Sequence, residues 1–262
     1  PSKDAIAVRI KSRKVAEGSI GIFIDFPYAS LHEFGNGADW EKPDKHQTNE
    51  TVNGRQACFQ RTMDDTRYDV RMSWDQQVDF KKIKGHRYEL MPVTKSDEIC
   101  FIVCFDKEKD QSPLPTFAQT EQESIKHWAD YWQSGGAIDL SESKDPRWKE
   151  LERRIVLSQY IMAVNEAGSL PPQESGLVNN GWYGKYHHEM IWWHCTHYAL
   201  WNRWPLMDKM MEVYPDNLEM YKKSAKAQGY KGVRWPKTIG DRTWWEWPNE
   251  TNPLLIWQQP HA

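Results

Sequence analysis

The clearest hydrophobic pattern in the chain is a strict alternation over residues 67–74. Tyr68, Val70, Met72 and Trp74 alternate with charged or small polar residues. Successive side chains of a strand point to opposite faces, so this period of two predicts a strand with one buried face. Four other segments rich in β-branched and aromatic residues predict strands at 5–10, 18–26, 86–91 and 98–105. The last is apolar on both faces, and the set predicts an antiparallel β-sandwich.

The period changes to that of helices after a polar, proline-containing connector at residues 107–116. Apolar residues at helical spacing then predict four helices, at 121–134, 146–168, 184–203 and from Pro205 onward. The second helix is expected to bury a stripe formed by Leu151, Ile155, Ser158 and Met162. The fourth is expected to break or kink at 214–216 because of its proline, and another helix is expected to begin at Leu254.

Size and charge exclude some classes of protein. The 262 residues suffice for one large or two medium domains, and 39% hydrophobic residues with 27% charged residues indicate a globular chain. A net charge of −3 without a basic block argues against nucleic-acid binding. No segment has the apolar length of a membrane span. Cys100 and Cys104 are expected to be buried free thiols, and no metal or cofactor is predicted. The oligomeric state does not follow from the sequence.

Aromatic residues are unusually frequent, with 15 tryptophans, and many lie in the last third of the chain. Residues 181–194 combine Trp182, Trp192 and Trp193 with three histidines, a lysine and Glu189. A sugar ring has apolar C–H faces that stack on indole and hydroxyl groups that need polar partners, so this composition favours a carbohydrate site. A buried helix with satisfied histidines is the alternative interpretation.

Three segments resemble the six-hairpin, (α/α)6-toroid glycosidases of glycoside hydrolase families 65 and 95. They are residues 148–160, 184–193 and, most specifically, 229–236 with the sequence Gly-Tyr-Lys-Gly-Val-Arg-Trp-Pro. The resemblance implies a multidomain β + α protein: a partial β-sandwich at 1–106, a linker with a helix at 107–145, and an incomplete (α/α)6 toroid of helical hairpins at 146–262. It also implies a periplasmic or secreted protein, and the apolar, aromatic end of the chain suggests that the helical domain continues.

The chain departs from these families at two motifs. His188-Glu189 stands where family 65 has a Trp-Asp pair, and the family's Glu-Ile-His motif of the catalytic acid is absent, with residues 244–248 in the corresponding region. An inverting glycosidase needs two carboxyl groups about 6.5–9.5 Å apart, one as acid and one as base. Glu246 lies between two tryptophans, which would raise its pKa, so it is the predicted general acid. The resemblance implies that the base lies beyond this chain.

The remaining predicted site residues bind substrate. On a helix over 184–203, Glu189 and Trp192 would share a face with Lys185; Glu189 is predicted to bind sugar hydroxyls, with an ion pair to Lys185 as the alternative. His187 and His188 are predicted to donate to hydroxyls, and Trp182 and Trp235 to stack on the sugar. Arg234 either contacts the substrate or braces a loop. Polar contacts are expected from Gln258, Gln259 and His261.

The sequence therefore predicts an inverting glycoside hydrolase that binds an oligo- or polysaccharide in an aromatic-lined cleft. Three alternatives stay open. The chain is a non-catalytic carbohydrate-binding fragment, a lyase acting on a uronate-containing glycan, or a phosphorylase in which phosphate replaces water and no base is needed. In the lyase, Arg234, His187 and Tyr186 would have to converge in the cleft.

Overall fold

A computed structural model of the chain describes residues 3–30, 32, 35–107, 110, 112–174, 181–239 and 250–261, without the side chains of Tyr183 and His261. The chain divides into two units. Pro1–Ser30 and Ala38–Ala129 form one, here called the β unit, and Leu31–Gly37 and Asp130–Ala262 form the other, here called the helical unit. The predicted division into 1–106, 107–145 and 146–262 stays a prediction.

The strands of the β unit form antiparallel sheets throughout. In chain order they are β1 (Asp4–Lys11), β2 (Ile22–Asp25), β3 (Tyr28–Ala29), β4 (Ala38–Asp39), β5 (His46–Asn53), β6 (Gln56–Met63), β7 (Thr66–Trp74), β8 (Val78–Lys84), β9 (Arg87–Pro92) and β10 (Glu98–Lys107). The larger sheet has the order β1-β10-β7-β6-β5, a second has the order β2-β9-β8, and β3 pairs with β4. Five of these ten strands were predicted, with β2 shorter than expected, while the short β3 and β4 and the longer β5, β6 and β8 were not.

Both larger sheets contribute to one hydrophobic core. Val70 and Met72 of β7 are almost fully buried, as the alternation predicts, and Phe59 of β6 lies opposite Val70. The ring of Phe59 packs 4.7 Å from that of Tyr88 in β9 of the second sheet. The expectation of layered antiparallel sheets is confirmed.

Seven helices occur in the part of the chain that the structure describes. They are α1 (Arg13–Ala16), α2 (Phe117–Ser134), α3 (Trp148–Asn165), α4 (His188–Leu200), α5 (Trp204–Met211), α6 (Val213–Asp216) and α7 (Leu218–Ala227). Short 3-10 turns lie at Gly181–Gly184, Asn252–Leu254 and Gln259–His261. None of the described helices is long and apolar enough to cross a membrane. That the helices of the helical unit form part of a toroid stays a prediction.

Several helix predictions were wrong in detail. On α3, Leu151 is 53% exposed and the buried residue is Gln159, because its side-chain oxygen accepts hydrogen bonds from the buried Arg203. The helix expected from 184 begins at His188. The predicted break after Pro205 occurs on both sides of α6, so residues 214–216 are themselves helical. Among the described residues, Leu254 ends one 3-10 turn, and a second at Gln259–His261 stands in place of the expected helix.

Candidate functional site

The residues just before α4 do not continue the helix but pair with other segments. Tyr186 forms an antiparallel bridge with Gln173, and His187 forms one with Thr238. The backbone N–H of His188 donates to the carbonyl of Lys237 at 2.8 Å. Three chain segments, 173–174, 181–189 and 234–239, are therefore held together at the start of α4.

Charged side chains from these three segments meet around His187. Its Nδ1 lies 3.0 Å from Oε2 of Glu174 and 3.6 Å from Oε1 of Glu189. Nζ of Lys237 lies 3.0 Å from the same oxygen of Glu189. The side chain of His187 is fully buried, while those of Glu189 and Lys237 keep 13% and 12% of their surface exposed. The group is thus largely shielded from water but not sealed.

Glu189 keeps its charge in this environment. Its partial burial would raise the pKa of the carboxyl group, but the contacts with His187 and Lys237 outweigh it and hold the pKa below its usual value. Glu189 also lies in the first turn of α4, where the helix dipole favours a negative charge.

An indole forms one wall of this group. The ring of Trp182 meets His187 edge to face at 5.6 Å, and the Lys237 ammonium lies 4.9 Å from the centre of the Trp182 ring. Trp182 has a φ of 50°, in the left-handed region that residues other than glycine rarely enter. Such strain concentrates at functional sites. We call Glu174, Trp182, His187, Glu189 and Lys237 the Glu189 cluster.

His188 belongs to a different environment, a buried aromatic group. Its ring packs against those of Tyr186, Tyr214 and Tyr221 at 5.2–5.6 Å, and Trp235 closes the group at 4.9 Å from Tyr214. Burial raises the pKa of Tyr221 to about 12, so its phenol is neutral at physiological pH. His188 is completely buried, and Trp235 is partly buried. Contact of either residue with a ligand stays a prediction.

Arg234 takes the bracing position that the sequence left open as an alternative. It donates to Oε1 of Gln228 at 2.9 Å and to the carbonyl of Pro253 at 2.8 Å. Gln259 binds both backbone groups of Trp235, and the amide of Gln258 donates to the carbonyls of Trp235 and Leu255. These side chains hold the 234–236 segment against residues 252–259, and a direct sugar contact by any of them stays a prediction.

The other predicted residues are either placed away from the cluster or lie outside the described residues. Trp192 lies one turn further along α4 with half of its surface exposed. Glu246 lies outside the described residues, as do the tryptophans around it, and so does the side chain of His261. Lys185 precedes α4, so the predicted helical face that it shares with Glu189 does not form. The ion partner of Glu189 is Lys237 instead.

Two members of the cluster, Glu174 and Lys237, were not predicted from the sequence. Lys237 directly follows the Gly-Tyr-Lys-Gly-Val-Arg-Trp-Pro motif, and that position was the available signal. Glu174 carries no local signal, because its contact with His187 depends on the bridge between Gln173 and Tyr186. Glu166, at the end of α3, was also missed; burial raises the pKa of its carboxyl group to about 6.

A groove of about 470 Å³ along α3 is a less suitable sugar site. It is lined by Trp132, Lys149, Glu152, Arg153, Val156, Leu157 and Tyr160. None of the predicted site residues lines it, and Arg153 is already paired with Glu150. Two aliphatic and three charged side chains accompany its two aromatic residues, and of the charged ones Glu152 already accepts from the backbone N–H of Leu140.

The Glu189 cluster offers a hydrogen-bonding pattern that suits hydroxyl groups. Carboxylates accept from hydroxyls, while the ammonium donates to them, and the indole supplies an apolar face. Among the described residues, no group of three or more His, Cys, Asp and Glu side chains could hold a metal ion. Cys100 and Cys104 are buried free thiols, as predicted.

Comparisons with known proteins define the class of fold. No protein-family model matches the chain, and no curated protein sequence matches it. Among solved structures, a chain titled "Putative kojibiose phosphorylase from human microbiome" is similar with a TM-score of 0.60 at 14% sequence identity. The similarity covers 95% of this chain and 33% of that one, so the chain spans about a third of its neighbour's length. The shared fold is a domain of antiparallel sheets followed by helices.

Proposed function

We propose that this chain is part of an enzyme that acts on glycosidic bonds, and that the Glu189 cluster holds one sugar ring of the substrate. The observation that carries this proposal is the convergence of two carboxylates, an ammonium and an imidazole beside the strained Trp182. Carbohydrate sites combine such polar groups with an aromatic face. The structural neighbour is named as a kojibiose phosphorylase, which supports the same class of substrate.

The reaction proposed is hydrolysis with inversion. Glu246 would donate a proton to the glycosidic oxygen while a water molecule attacks from the opposite side of the ring. The base that activates this water is assigned to no residue of the chain. A phosphorylase is the second candidate, favoured by the neighbour's name; phosphate would then attack in place of water, and no base would be needed.

The charges of the cluster disfavour the lyase. A uronate substrate carries a carboxylate, which would meet Glu174 and Glu189, and among the described residues of the cluster Lys237 is the one fixed cation that offsets them. Arg234, the candidate neutraliser, is already bound to Gln228 and to backbone carbonyls. Substrates with neutral sugar units fit the cluster better.

Trp182→Ala tests the binding part of the proposal. Oligosaccharides of neutral sugars would be titrated into the intact protein by calorimetry, and the variant is expected to bind about tenfold more weakly because a stacking surface is lost. Trp40→Ala is the matched control, since Trp40 is an exposed tryptophan of the β unit at 55% exposure. Equal affinities for Trp182→Ala and the wild type would count against the assigned site.

Glu246→Gln tests the catalytic part. Loss of the general acid is expected to lower turnover by a factor of about 10²–10⁴ while sugar binding persists. Glu250→Gln, a nearby change at an exposed residue, should leave turnover unchanged. NMR of the first product gives the stereochemistry, and a strict phosphate requirement identifies the phosphorylase. Unchanged turnover of Glu246→Gln would reject the assignment of Glu246 as the general acid. A wild type that binds sugars but cleaves none, with or without phosphate, would support the non-catalytic alternative.

A further inference from the structure

Lys237 occupies a position between two members of the Glu189 cluster. Its ammonium lies 3.0 Å from Oε1 of Glu189 and 4.9 Å from the ring centre of Trp182. An ammonium is attracted both by a carboxylate and by the electron-rich face of an indole. Only 12% of the lysine side chain is exposed, so these attractions are weakly screened by water.

The backbone holds Lys237 at this position. The N–H of His188 donates to the carbonyl of Lys237 at 2.8 Å, and the next residue, Thr238, bridges to His187. The lysine is thereby fixed opposite the first turn of α4, in which Glu189 lies. The side chain needs little reorganisation to reach the carboxylate, so the pair is held in place by the fold.

The contact between Lys237 and Glu189 involves one of the two carboxylate oxygens of Glu189. Oε1 is the atom near both Lys237 and His187. In the arrangement proposed below, a ligand hydroxyl would bind at Oε2. The groups that face the carboxylate are Lys237 from segment 237–239, His187 at the start of α4 and, beyond the imidazole, Glu174. Lys237 brings the only fixed positive charge among them.

We propose that Lys237 is a positioning residue that keeps the Glu189 carboxylate charged and aimed at a sugar hydroxyl. The proposal rests on the proposed function for its sugar-binding consequence, but its effect on Glu189 is independent of any sugar. Without Lys237, partial burial would favour the protonated form of Glu189, which is a poorer acceptor and is free to rotate.

The direct test follows the titration of Glu189 in the absence of sugar. Carboxyl ¹³C signals of glutamate-labelled protein would be recorded against pH, with Glu189→Gln identifying the signal. In Lys237→Met the pKa of Glu189 is expected to rise above the wild-type value, because burial then acts with only His187 to oppose it. Lys237→Arg should restore most of the shift. A pKa of Glu189 that is the same in Lys237→Met and the wild type would overturn the proposal, whether or not a sugar is known.

The functional test uses the pH profile of sugar affinity. Lys237→Met is expected to bind about tenfold more weakly at neutral pH and to lose affinity at a higher pH than the wild type as the solution is acidified. Lys222→Met is the matched control, because Lys222 pairs with the exposed Glu219 and should leave both properties unchanged. In a Glu189→Gln background, Lys237→Met should have no further effect on affinity. Additive effects of these two substitutions would contradict the positioning role.

The outcomes separate this inference from the proposed function. A wild type that binds no sugar refutes the proposed function, while the Glu189 titration still decides on Lys237. Should Lys237→Met fail to fold, Lys237→Gln provides the same loss of charge with a side chain of similar bulk, and near-UV circular dichroism checks the fold of each variant. A folded variant without the charge could bind sugar as the wild type does and lose affinity at the same acidic pH. This result would leave the proposed function intact and exclude the positioning role of Lys237.

Discussion

Asp106 in β10 and Glu166 at the end of α3 are carboxyl groups withdrawn from water, one in each unit. Their pKa values are shifted in opposite directions. Asp106 receives hydrogen bonds from Lys3 at 2.9 Å and Arg71 at 2.7 Å. Burial would raise the pKa of Asp106, but these two cations outweigh it and lower that pKa. Among the described residues, no cation pairs with Glu166 and its Oε2 has no hydrogen-bond partner, and burial raises the pKa of Glu166 to about 6.

The same contrast extends to other polar atoms of the helical unit. Oη of Tyr214 and Oε1 of Gln258 are also buried, and neither has a hydrogen-bond partner in the part of the chain that the structure describes. Native proteins rarely leave such atoms unsatisfied, and each one costs stability. The difference is one of degree: Nε of Arg61 and Nη2 of Arg71 in the β unit also lack a partner among the described residues, but such atoms are more frequent in the helical unit, which contains the Glu189 cluster. We interpret this difference as the stability cost of a binding site.

Arg71→Met is expected to have the largest effect on stability, about 3 kcal/mol, because it leaves Asp106 buried with Lys3 as its remaining partner. In the wild type the folded-state pKa of Asp106 is depressed, so its stabilising contribution is present above the unfolded pKa and is lost as pH falls through the folded pKa. Arg71→Met should therefore lose less stability on acidification than the wild type. Urea unfolding at several pH values measures both effects.

Arg67→Met is the control for this experiment, since Arg67 lies exposed on the same strand, β7. A substitution at such a surface position is expected to change stability by less than about 0.5 kcal/mol. Equal unfolding midpoints for Arg71→Met and the wild type would show that Asp106 does not depend on its cations, and the contrast with Glu166 would fail.

Glu166→Gln is expected to act in the opposite direction, raising stability by about 1–2 kcal/mol near pH 8. The pKa of Glu166 is raised in the folded state, from 4.5 to about 6. The folded protein therefore binds the proton more tightly, and stability falls as pH rises through this window. The gain from Glu166→Gln should disappear below about pH 4.5, where the carboxyl group is protonated in both states.

Glu142→Gln, at an exposed position of the helical unit, should show neither the gain nor the pH dependence. If Glu166→Gln destabilises the protein at every pH, the Glu166 carboxylate makes interactions that offset its burial. The two units would then not differ in the way described.

The sequence predicted the β unit better where each strand carries its own hydrophobic pattern. The alternation in β7 directly reports a buried face, and Val70, Met72 and Trp74 are indeed buried. In contrast, β5 reads His-Gln-Thr-Asn-Glu-Thr-Val-Asn and has little apolar signal. It forms because it pairs residue by residue with β6 across a tight turn at Gly54, whose φ is 58°. Such pairing depends on the neighbouring strand rather than on the residues of β5 alone.

The Glu189 cluster was predicted only in part, because some of its contacts also join segments that are distant in the sequence. The residue types around Glu189 indicated a polar, aromatic site, but a continuous helix from 184 assigned Lys185 to Glu189 by local spacing. The chain instead turns at Gly184, where φ is 69°, and pairs with residues 237–239. This brings Lys237 to the carboxylate across about fifty residues of sequence. Periodicity reports contacts within one element and carries no information about contacts between distant segments.

Tyr214→Phe, compared with Tyr198→Phe, is expected to give the smallest effect and tests whether the unused hydrogen-bonding capacity is real. Oη of Tyr214 is buried without a hydrogen-bond partner, so its removal should be neutral or stabilise the protein by up to about 1 kcal/mol. Oη of Tyr198 donates to the carbonyl of Met162 at 2.9 Å, so its removal should destabilise the protein by about 1 kcal/mol. Thermal unfolding of the two variants gives the sign of each change. Destabilisation by Tyr214→Phe as large as that by Tyr198→Phe would mean that the Tyr214 hydroxyl has a partner and does not contribute to the difference between the units. If Tyr214→Phe instead keeps stability but weakens sugar binding, the hydroxyl contacts the ligand, and the unpaired polar atoms of the helical unit belong to the binding site itself.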